Sequence, residues 1–267
     1  LKPQQAINLD NWNAFLTRFK NPKYKIKIGL VGKYVELQDS YKSILESLIH
    51  AGAENETEVQ VISLHSEHLN KGNVQETLKS LDGLIVAPGF GERGVEGKIT
   101  AIKYARENKI PFFGICLGMQ MAVIEYARNQ AGLSDANSTE MSPNCKIPVI
   151  DLMESQKKII KKGGTMRLGA WDCDLIENTH AANAYSTKSI SERHRHRYEF
   201  NNDYLDKIFD ENFIVAGTNP DTGLVEIIEY KNHPWFVGVQ FHPEYKSTVS
   251  TPHPLFKSFV KASLAKQ

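Results

Sequence analysis

The first half of the chain alternates short apolar runs with amphipathic segments, and this alternation constrains the fold more than any other feature. Apolar runs predict strands over residues 26–32, 59–64, 83–86 and 110–114. Helical spacing predicts helices after residue 40, over 74–81 and 98–108, and from 118 onward. Strands and helices that alternate at these intervals form parallel βαβ units. We therefore expect an α/β fold with a mainly parallel, doubly wound, flavodoxin-like sheet and flanking helices.

The second half follows a different pattern. Residues 135–169 are rich in small and polar side chains and predict loops with short strands. Further strands are predicted at 195–200, 213–217, 225–230 and 235–241, before a last helix at 254–265. Turn sequences join these strands, so we expect an antiparallel extension of the sheet. Residues 1–25 have little periodicity and are interpreted as a linker remnant that precedes one domain at 26–267.

Composition excludes several classes of protein. Lys and Arg number 32 against 31 Asp and Glu, and this net charge of +1 argues against general nucleic-acid or membrane-surface binding. The three cysteines are odd in number and widely spaced, which favours a reducing compartment over a disulfide framework. The first residues do not resemble a signal peptide, and no run reaches the roughly 20 apolar residues of a membrane span. We expect a soluble cytoplasmic protein.

The sequence G-I-C-L-G at residues 114–118 has the spacing of a nucleophile elbow with cysteine as nucleophile. Flanking glycines permit a sharp turn from strand to helix, which would expose Cys116 at the carboxyl end of the sheet. The N-terminus of the following helix favours a thiolate. The alternative is an inert cysteine buried in an apolar strand, which is the commoner fate of a lone cysteine.

The sequence F-H-P-E at residues 241–244 supplies a candidate base and its orienting group. Pro243 argues against a helix here, and extended residues two apart face the same side. Glu244 can then contact one imidazole nitrogen of His242 and leave the other free, as in a catalytic triad. Alone, this motif would more often be an incidental histidine at a strand end; the elbow cysteine makes catalysis the better interpretation.

Acyl chemistry at Cys116 also needs donors for an oxyanion. The backbone N–H groups of Leu117 and Gly89 are candidates, because Pro88 cannot donate and a glycine allows close approach to the backbone. The alternative for residues 88–91 is a simple turn.

The string R-H-R-H-R at residues 193–197 has three interpretations. It is short for a nucleic-acid patch, and its histidines lack nearby partners at metal-ligand spacing. In a strand its three arginines share one face, which suits a carboxylate or phosphate contact.

Together these residues resemble the triad (class I) glutamine amidotransferase domain. Longer strings narrow the resemblance to the amidotransferase half of CTP synthase, over nearly the whole chain. The strings are V-G-K-Y at 31–34, G-K at 97–98, D-A-N-S-T-E at 135–140, G-G-T-M-R-L-G at 163–169, R-H-R-H-R-Y at 193–198 and H-P-W-F at 233–236. Many relatives have P-G-G-F-G where this chain has A-P-G-F-G at 87–91, but the presumed donor Gly89 is retained.

The resemblance implies hydrolysis of L-glutamine and transfer of ammonia to a synthetase domain. Cys116 would be the nucleophile that forms a γ-glutamyl thioester, His242 the base and later the acid, and Glu244 its orienter. The amides of Gly89 and Leu117 would bind the oxyanion.

The resemblance also implies the residues that recognise glutamine. These are Gly89, Phe90, Gln120, Glu140 for the α-amino group, and Arg197 for the α-carboxylate. Arg167 falls in a segment that the family links to a mobile lid and to activation by GTP.

A synthetase domain and a P-loop are absent from this sequence. The resemblance therefore implies no cofactor or metal in this domain. ATP, Mg and UTP belong to the synthetase domain, GTP acts as an allosteric activator, and the full-length enzyme is a homotetramer without nucleic-acid or membrane partners. The alternatives are a non-catalytic regulatory or assembly module, or an amidotransferase that serves another acceptor.

Overall fold

A computed structural model describes residues 8–152 and 166–267 of the chain. The strands are β1 Tyr24–Gly32, β2 Thr57–His65, β3 Gly83–Val86, β4 Phe112–Ile115, β5 Ala136–Ser138, β6 Ile147–Leu152, β7 Arg167–Leu175, β8 Ser189–His196, β9 Tyr198–Phe200, β10 Phe213–Thr218, β11 Val225–Tyr230 and β12 Phe236–Val239. The helices are α1 Asp10–Lys20, α2 Lys42–Glu54, α3 Val74–Leu78, α4 Val95–Glu107, α5 Leu117–Asn129, α6 His180–Tyr185, α7 Leu205–Ile208 and α8 Pro254–Leu264.

The main sheet has the strand order β2-β1-β3-β4-β12-β11-β10-β7-β8. The first five strands in this order pair in parallel, and the remaining pairs are antiparallel. A smaller sheet has the order β5-β6-β9. The predicted α/β class, the mainly parallel sheet and the antiparallel extension are thus confirmed.

Helices cover both faces of the parallel strands because successive side chains of a strand point to opposite faces. In β4, Phe112 packs in the apolar cluster with the residues of α4 and α5. Its neighbour Phe113 packs in the other cluster, where it contacts the rings of Phe256 and Phe259 from α8. Burial of each such side chain contributes about 2–3 kcal/mol, so β4 is fixed between two layers of helices.

The relation between β4 and β12 decides where the site lies. The two strands are parallel neighbours, with Gly238 opposite Gly114 and Val239 opposite Ile115. Their carboxyl ends therefore meet at one edge of the sheet. The chain leaves that edge toward Cys116 after β4 and toward His242 after β12.

Three local predictions differ from the structure. The region interpreted as a linker contains helix α1, which buries Phe15 and stacks its ring on Phe19, one turn further along. Residues 195–200 were predicted as one strand, but Arg197 separates β8 from β9. Pro243 begins a 3-10 turn, Pro243–Tyr245, because proline is accepted at the first position of a helix.

Within the described ranges, no helix combines the length and the apolar composition that a membrane span requires.

Candidate active site

Cys116 occupies a strained turn between β4 and α5. Its backbone angles, φ 53° and ψ −104°, lie outside the regions that L-residues normally adopt. The turn is fixed by the Cys116 N–H, which donates to the carbonyl of Val239 at 2.7 Å. A side chain at Gly118 would place its Cβ 2.2 Å from the carbonyl oxygen of Val86, so a residue with a side chain does not fit there. The sequence G-I-C-L-G therefore forms the sharp turn that its glycines predicted.

His242 and Glu244 form a buried pair. The Nδ1 atom of His242 lies 2.7 Å from Oε1 of Glu244, and the two residues are 4% and 6% exposed. Burial alone would lower the pKa of His242, but attraction to a Cys116 thiolate and the bond to Glu244 raise it to about 11. The imidazole also stacks on Tyr245, at 5.0 Å between ring centroids.

The second nitrogen of His242 is left for chemistry. Apart from its interaction with the Cys116 side chain, the buried Nε2 atom makes no hydrogen bond to the described part of the chain. Since Cys116 strongly affects the pKa of the ring, this is the nitrogen available to the sulfur. A base with one nitrogen oriented and the other free matches the triad arrangement.

One cavity of about 370 Å³ brings the predicted residues together. It is lined by Cys116, His242 and Glu244 and by Gly89 and Phe90 of the neighbouring turn. Other lining residues come from the segment between β1 and α2, from the start of α2 and from β8: Tyr34, Asp39, Ser40, Tyr41, Lys42, Ser43, Ile44 and Arg195. The cavity is thus bordered by two of the predicted glutamine-binding residues and by all three of the predicted triad.

The candidate oxyanion donors lie at backbone positions with free N–H groups. Leu117 is the first residue of α5, and the first N–H groups of a helix have no partner within it. Among the described residues, no hydrogen bond uses the N–H of Gly89. Both groups are therefore available to a ligand, although their assignment stays a prediction.

Glu140 contacts the same turn from the other side. Its Oε1 atom accepts the N–H of Gly91 at 2.7 Å. Burial raises the pKa of Glu140, while that N–H and the charges of Lys33 and Arg197 oppose the shift. The carboxylate therefore has positive charge nearby, including the arginine predicted to bind the substrate's carboxylate.

Gln120 is buried and does not line the cavity, but hydrogen bonds connect it to the site. Its Nε2 atom donates to the carbonyl of Tyr198 at 2.8 Å and to Oε1 of Gln240 at 3.1 Å. The Nε2 atom of Gln240 in turn lies 3.8 Å from the Cys116 sulfur. Sequence reasoning missed Gln240, although a glutamine that ends the apolar β12 run was a signal.

Arg167 does not line the cavity. It is 5% exposed and pairs with Glu226 at 2.7 Å and with Glu199 at 3.2 Å. The guanidinium also lies 4.6 Å from the ring centre of Trp171. The first three residues of its G-G-T-M-R-L-G string, residues 163–165, lie outside the described residues, so the lid prediction remains untested.

The R-H-R-H-R string alternates as predicted only as far as His196, because β8 ends there and the half-buried Arg197 lies outside the strand. Arg193 and Arg195 are exposed, whereas His194 and His196 are buried, with Nδ1 of the first 2.7 Å from Nε2 of the second. Burial and the charge of Arg167 lower the pKa of both histidines, that of His196 to about 3, and the charge of His196 further lowers the pKa of His194. The described residues bring together no group of three His, Cys, Asp or Glu side chains that could bind a metal.

Comparison with known proteins agrees with this geometry. A model of the class-I glutamine amidotransferase family matches residues 36–262. The CTP synthase of Flavobacterium johnsoniae is 65% identical over 264 residues, which cover 99% of this chain and 49% of that protein. The chain therefore spans about half the length of the curated relatives that it matches.

Solved structures give the same result. The glutaminase domain of Trypanosoma brucei CTPS, with bound acivicin, is 37% identical with a TM-score of 0.83, over 91% of this chain and 95% of that domain. A putative GMP synthase protein from Thermoplasma acidophilum, 16% identical with a TM-score of 0.56 over 90% of this chain and 94% of that one, shares the fold. The resemblance predicted from the motifs is confirmed. The chain belongs to the class-I glutamine amidotransferase family, among the glutaminase domains of CTP synthases.

Proposed function

We propose that this chain hydrolyses L-glutamine to glutamate and ammonia. The observation that carries the proposal is the single cavity in which the strained Cys116 meets the buried His242–Glu244 pair. The chemistry follows from the residues that border it.

The Cys116 thiolate attacks the side-chain amide carbon of glutamine, and the oxygen becomes negative as the carbon turns tetrahedral. The N–H groups of Gly89 and Leu117 bind that oxygen. His242, kept protonated by Glu244 and the thiolate, donates a proton to the leaving nitrogen as the carbon–nitrogen bond breaks. Ammonia and a γ-glutamyl thioester result. His242 then accepts a proton from water, which hydrolyses the thioester and regenerates the thiolate.

Recognition of glutamine uses groups around the same turn. Glu140 binds the α-amino group with the carboxylate that also accepts Gly91 N–H, and Arg197 binds the α-carboxylate. Phe90 forms one side of the cavity, whereas Gln120 does not line it. Gln120 acts through buried hydrogen bonds, which fix its amide.

The ammonia serves a synthetase domain in this proposal. That domain would bind ATP, Mg and UTP and aminate UTP to CTP, with GTP as activator and a homotetramer as the assembled state. Residues 1–25 would form the linker from that domain to the domain at 26–267, in the cytoplasm. Arg167 would influence a GTP-linked lid through β7 rather than by contact, because it is buried.

The test is intact-mass analysis of the chain after exposure to a chloroketone analogue of glutamine. We expect one adduct, on Cys116, which excess glutamine prevents and which the Cys116→Ala variant lacks. Cys145→Ala and Cys173→Ala are matched controls, because burial raises the pKa of both thiols and disfavours their thiolates. Modification that persists in Cys116→Ala, or that glutamine does not slow, would contradict the proposal.

A further inference from the structure

Lys98 is a fully buried lysine, and the chemistry described above does not use it. It lies in the first turns of α4 and is 0% exposed. Lysine is almost never buried to this extent unless its charge is paired. Yet no described carboxylate lies within 4.0 Å of its ammonium, so its position needs another explanation.

The ammonium of Lys98 lies under the turn that carries the candidate oxyanion donor. Its Nζ atom donates to the carbonyl of Ala87 at 2.9 Å. A Cβ built on Gly89 would lie 3.8 Å from that Nζ atom and 3.5 Å from Leu117 Cδ2. Lys98 therefore lies close to Gly89, whose amide is proposed to bind the oxyanion.

A second lysine binds the other end of the same turn. Lys33, which is 5% exposed, donates from Nζ to the carbonyls of Phe90 and Gly91, the latter at 3.0 Å. With Glu140 bound to the Gly91 N–H, the turn is fixed at both ends. The Gly89 N–H lies between the fixed positions, and its direction depends on them.

Charge gives the two lysines a second effect. Burial, and then the charge of Lys33, lower the pKa of Lys98 to about 7, while Cys116 opposes the shift. The two cations and the thiolate therefore interact across the turn. Negative charge on the sulfur or on the oxyanion attracts both ammonium groups, which stabilises the reacting state.

We propose that Lys98 and Lys33 are positioning residues for glutamine hydrolysis: they bind the carbonyls at the two ends of the Ala87–Gly91 turn and so direct the Gly89 N–H at the oxyanion. The inference rests on the proposed function. It adds two residues whose side chains act on the backbone of the turn.

The variants Lys98→Met and Lys33→Met test this inference, since methionine keeps much of the length and apolar volume without charge or donor. We expect kcat for glutamine to fall roughly ten- to hundredfold in Lys98→Met, because loss of an oxyanion donor outright costs about 10²–10³-fold. KM should change less than about threefold. The matched control is Lys266→Met, which removes a 3.0 Å lysine–carbonyl bond to Leu81 outside the site. An unchanged kcat in both test variants would overturn the inference.

A second measurement does not depend on activity. Amide hydrogen exchange at residues 87–91 should accelerate in Lys98→Met and Lys33→Met and stay unchanged in the control; unchanged exchange would overturn the inference even if the chain hydrolyses no glutamine. An inactive wild-type chain would contradict only the proposed function.

If Lys98→Met does not fold, the variant Lys98→Gln tests the inference instead, since glutamine retains a hydrogen-bond donor. In Lys98→Gln we expect the amides of residues 87–91 to be protected from exchange and part of kcat to be retained. If exchange or kcat in Lys98→Gln were as impaired as in Lys33→Met, the proposed role of the Lys98 hydrogen bond would be overturned.

Discussion

Substitution of Glu244 by glutamine should lower the pKa of His242 by several units. The change keeps the size of the side chain and an oxygen that can accept from Nδ1, but it removes the negative charge. In the wild-type protein that charge lies against the ring, with 2.7 Å between Nδ1 and Oε1, and both side chains are almost fully buried. The substitution therefore isolates the electrostatic part of the interaction.

The size of this fall in the pKa of His242 follows from Coulomb's law. Two unit charges about 4 Å apart interact by about 4 kcal/mol at an effective dielectric constant of about 20, and one pKa unit corresponds to about 1.4 kcal/mol. The pKa of His242 should then fall from about 11 by about three units. With the positioning of the ring also weakened, kcat should fall on the order of 10²–10⁴-fold, as in a triad that loses its carboxylate.

The assay is a pH titration of histidine Cε1–H signals by NMR, with the His242 signal assigned through a His242→Gln variant. The wild-type signal should stay in its protonated position up to pH of about 9.5, whereas in Glu244→Gln it should titrate with a midpoint near 8. Cys116→Ala should also lower the midpoint, because the thiolate is the other source of the shift. A His242 midpoint that is the same in wild type and Glu244→Gln would refute the argument.

Three further substitutions test the fold around the site. Gly118→Ala should abolish either folding or the reactivity of Cys116, because the added Cβ would lie 2.2 Å from the carbonyl oxygen of Val86. Circular dichroism measures folding, and alkylation measures the reactivity of the thiol. Arg106→Met should lower the free energy of unfolding by about 3–5 kcal/mol, because it leaves the fully buried Glu125 without its two 2.8 Å hydrogen bonds. In urea denaturation, the double variant Arg106→Met/Glu125→Leu should recover most of this loss. Burial raises the pKa of Glu226 to about 7, so the native state retains a proton that the unfolded chain loses above its ordinary 4.5. Stability should therefore fall between pH of about 4.5 and 7, with up to about 3 kcal/mol from this group. Burial raises the pKa of Glu199 and Glu229 as well, so Glu226→Gln should reduce the fall rather than abolish it.

Each of these three substitutions has either a control variant or a result that would contradict the prediction. Gly72→Ala introduces a methyl group that meets only the side-chain oxygen of Asn70, at 3.2 Å, and should leave folding intact. If the double variant of the Arg–Glu pair were as unstable as the single one, loss of packing rather than the unpaired charge would be the cause. A denaturation midpoint that falls equally with pH in wild type and Glu226→Gln would exclude that carboxyl as the titrating group.

Local sequence predicted those parts of the site that depend on chain direction and spacing. The elbow at Cys116 was predicted because its glycines and the following helix are adjacent in sequence. The His242–Glu244 contact was also predicted, but for a wrong reason: the backbone forms a 3-10 turn at Pro243, and the two side chains meet across it. The wrong backbone conformation did not change the predicted contact, because the two residues are only two positions apart in the chain.

Interactions between distant segments could not be predicted in this way. Lys98 has the polarity of a surface position on an amphipathic helix, and only the packing of α4 under the Ala87 carbonyl buries it. Arg167 and Glu226 are 59 positions apart, and no periodicity reports that they pair. Helix α1 was missed although Trp12, Phe15, Leu16 and Phe19 recur at helical spacing. Its stability depends on the burial of Phe15 against α2.

The register of β12 couples the fold to the chemistry. The parallel pairing of β4 with β12, together with the hydrogen bond from Cys116 N–H to Val239 O, fixes how far each strand extends beyond the sheet. A slip of one residue would reverse which side chains of β12 face the site: Gln240 would leave the sulfur, and His242 would turn away. Beyond β12, the N–H of His242 also donates to the carbonyl of Arg193 in β8, at 2.8 Å. The antiparallel extension therefore holds the base from one side while the parallel strands hold the nucleophile from the other, so the triad depends on both halves of the sheet folding in register.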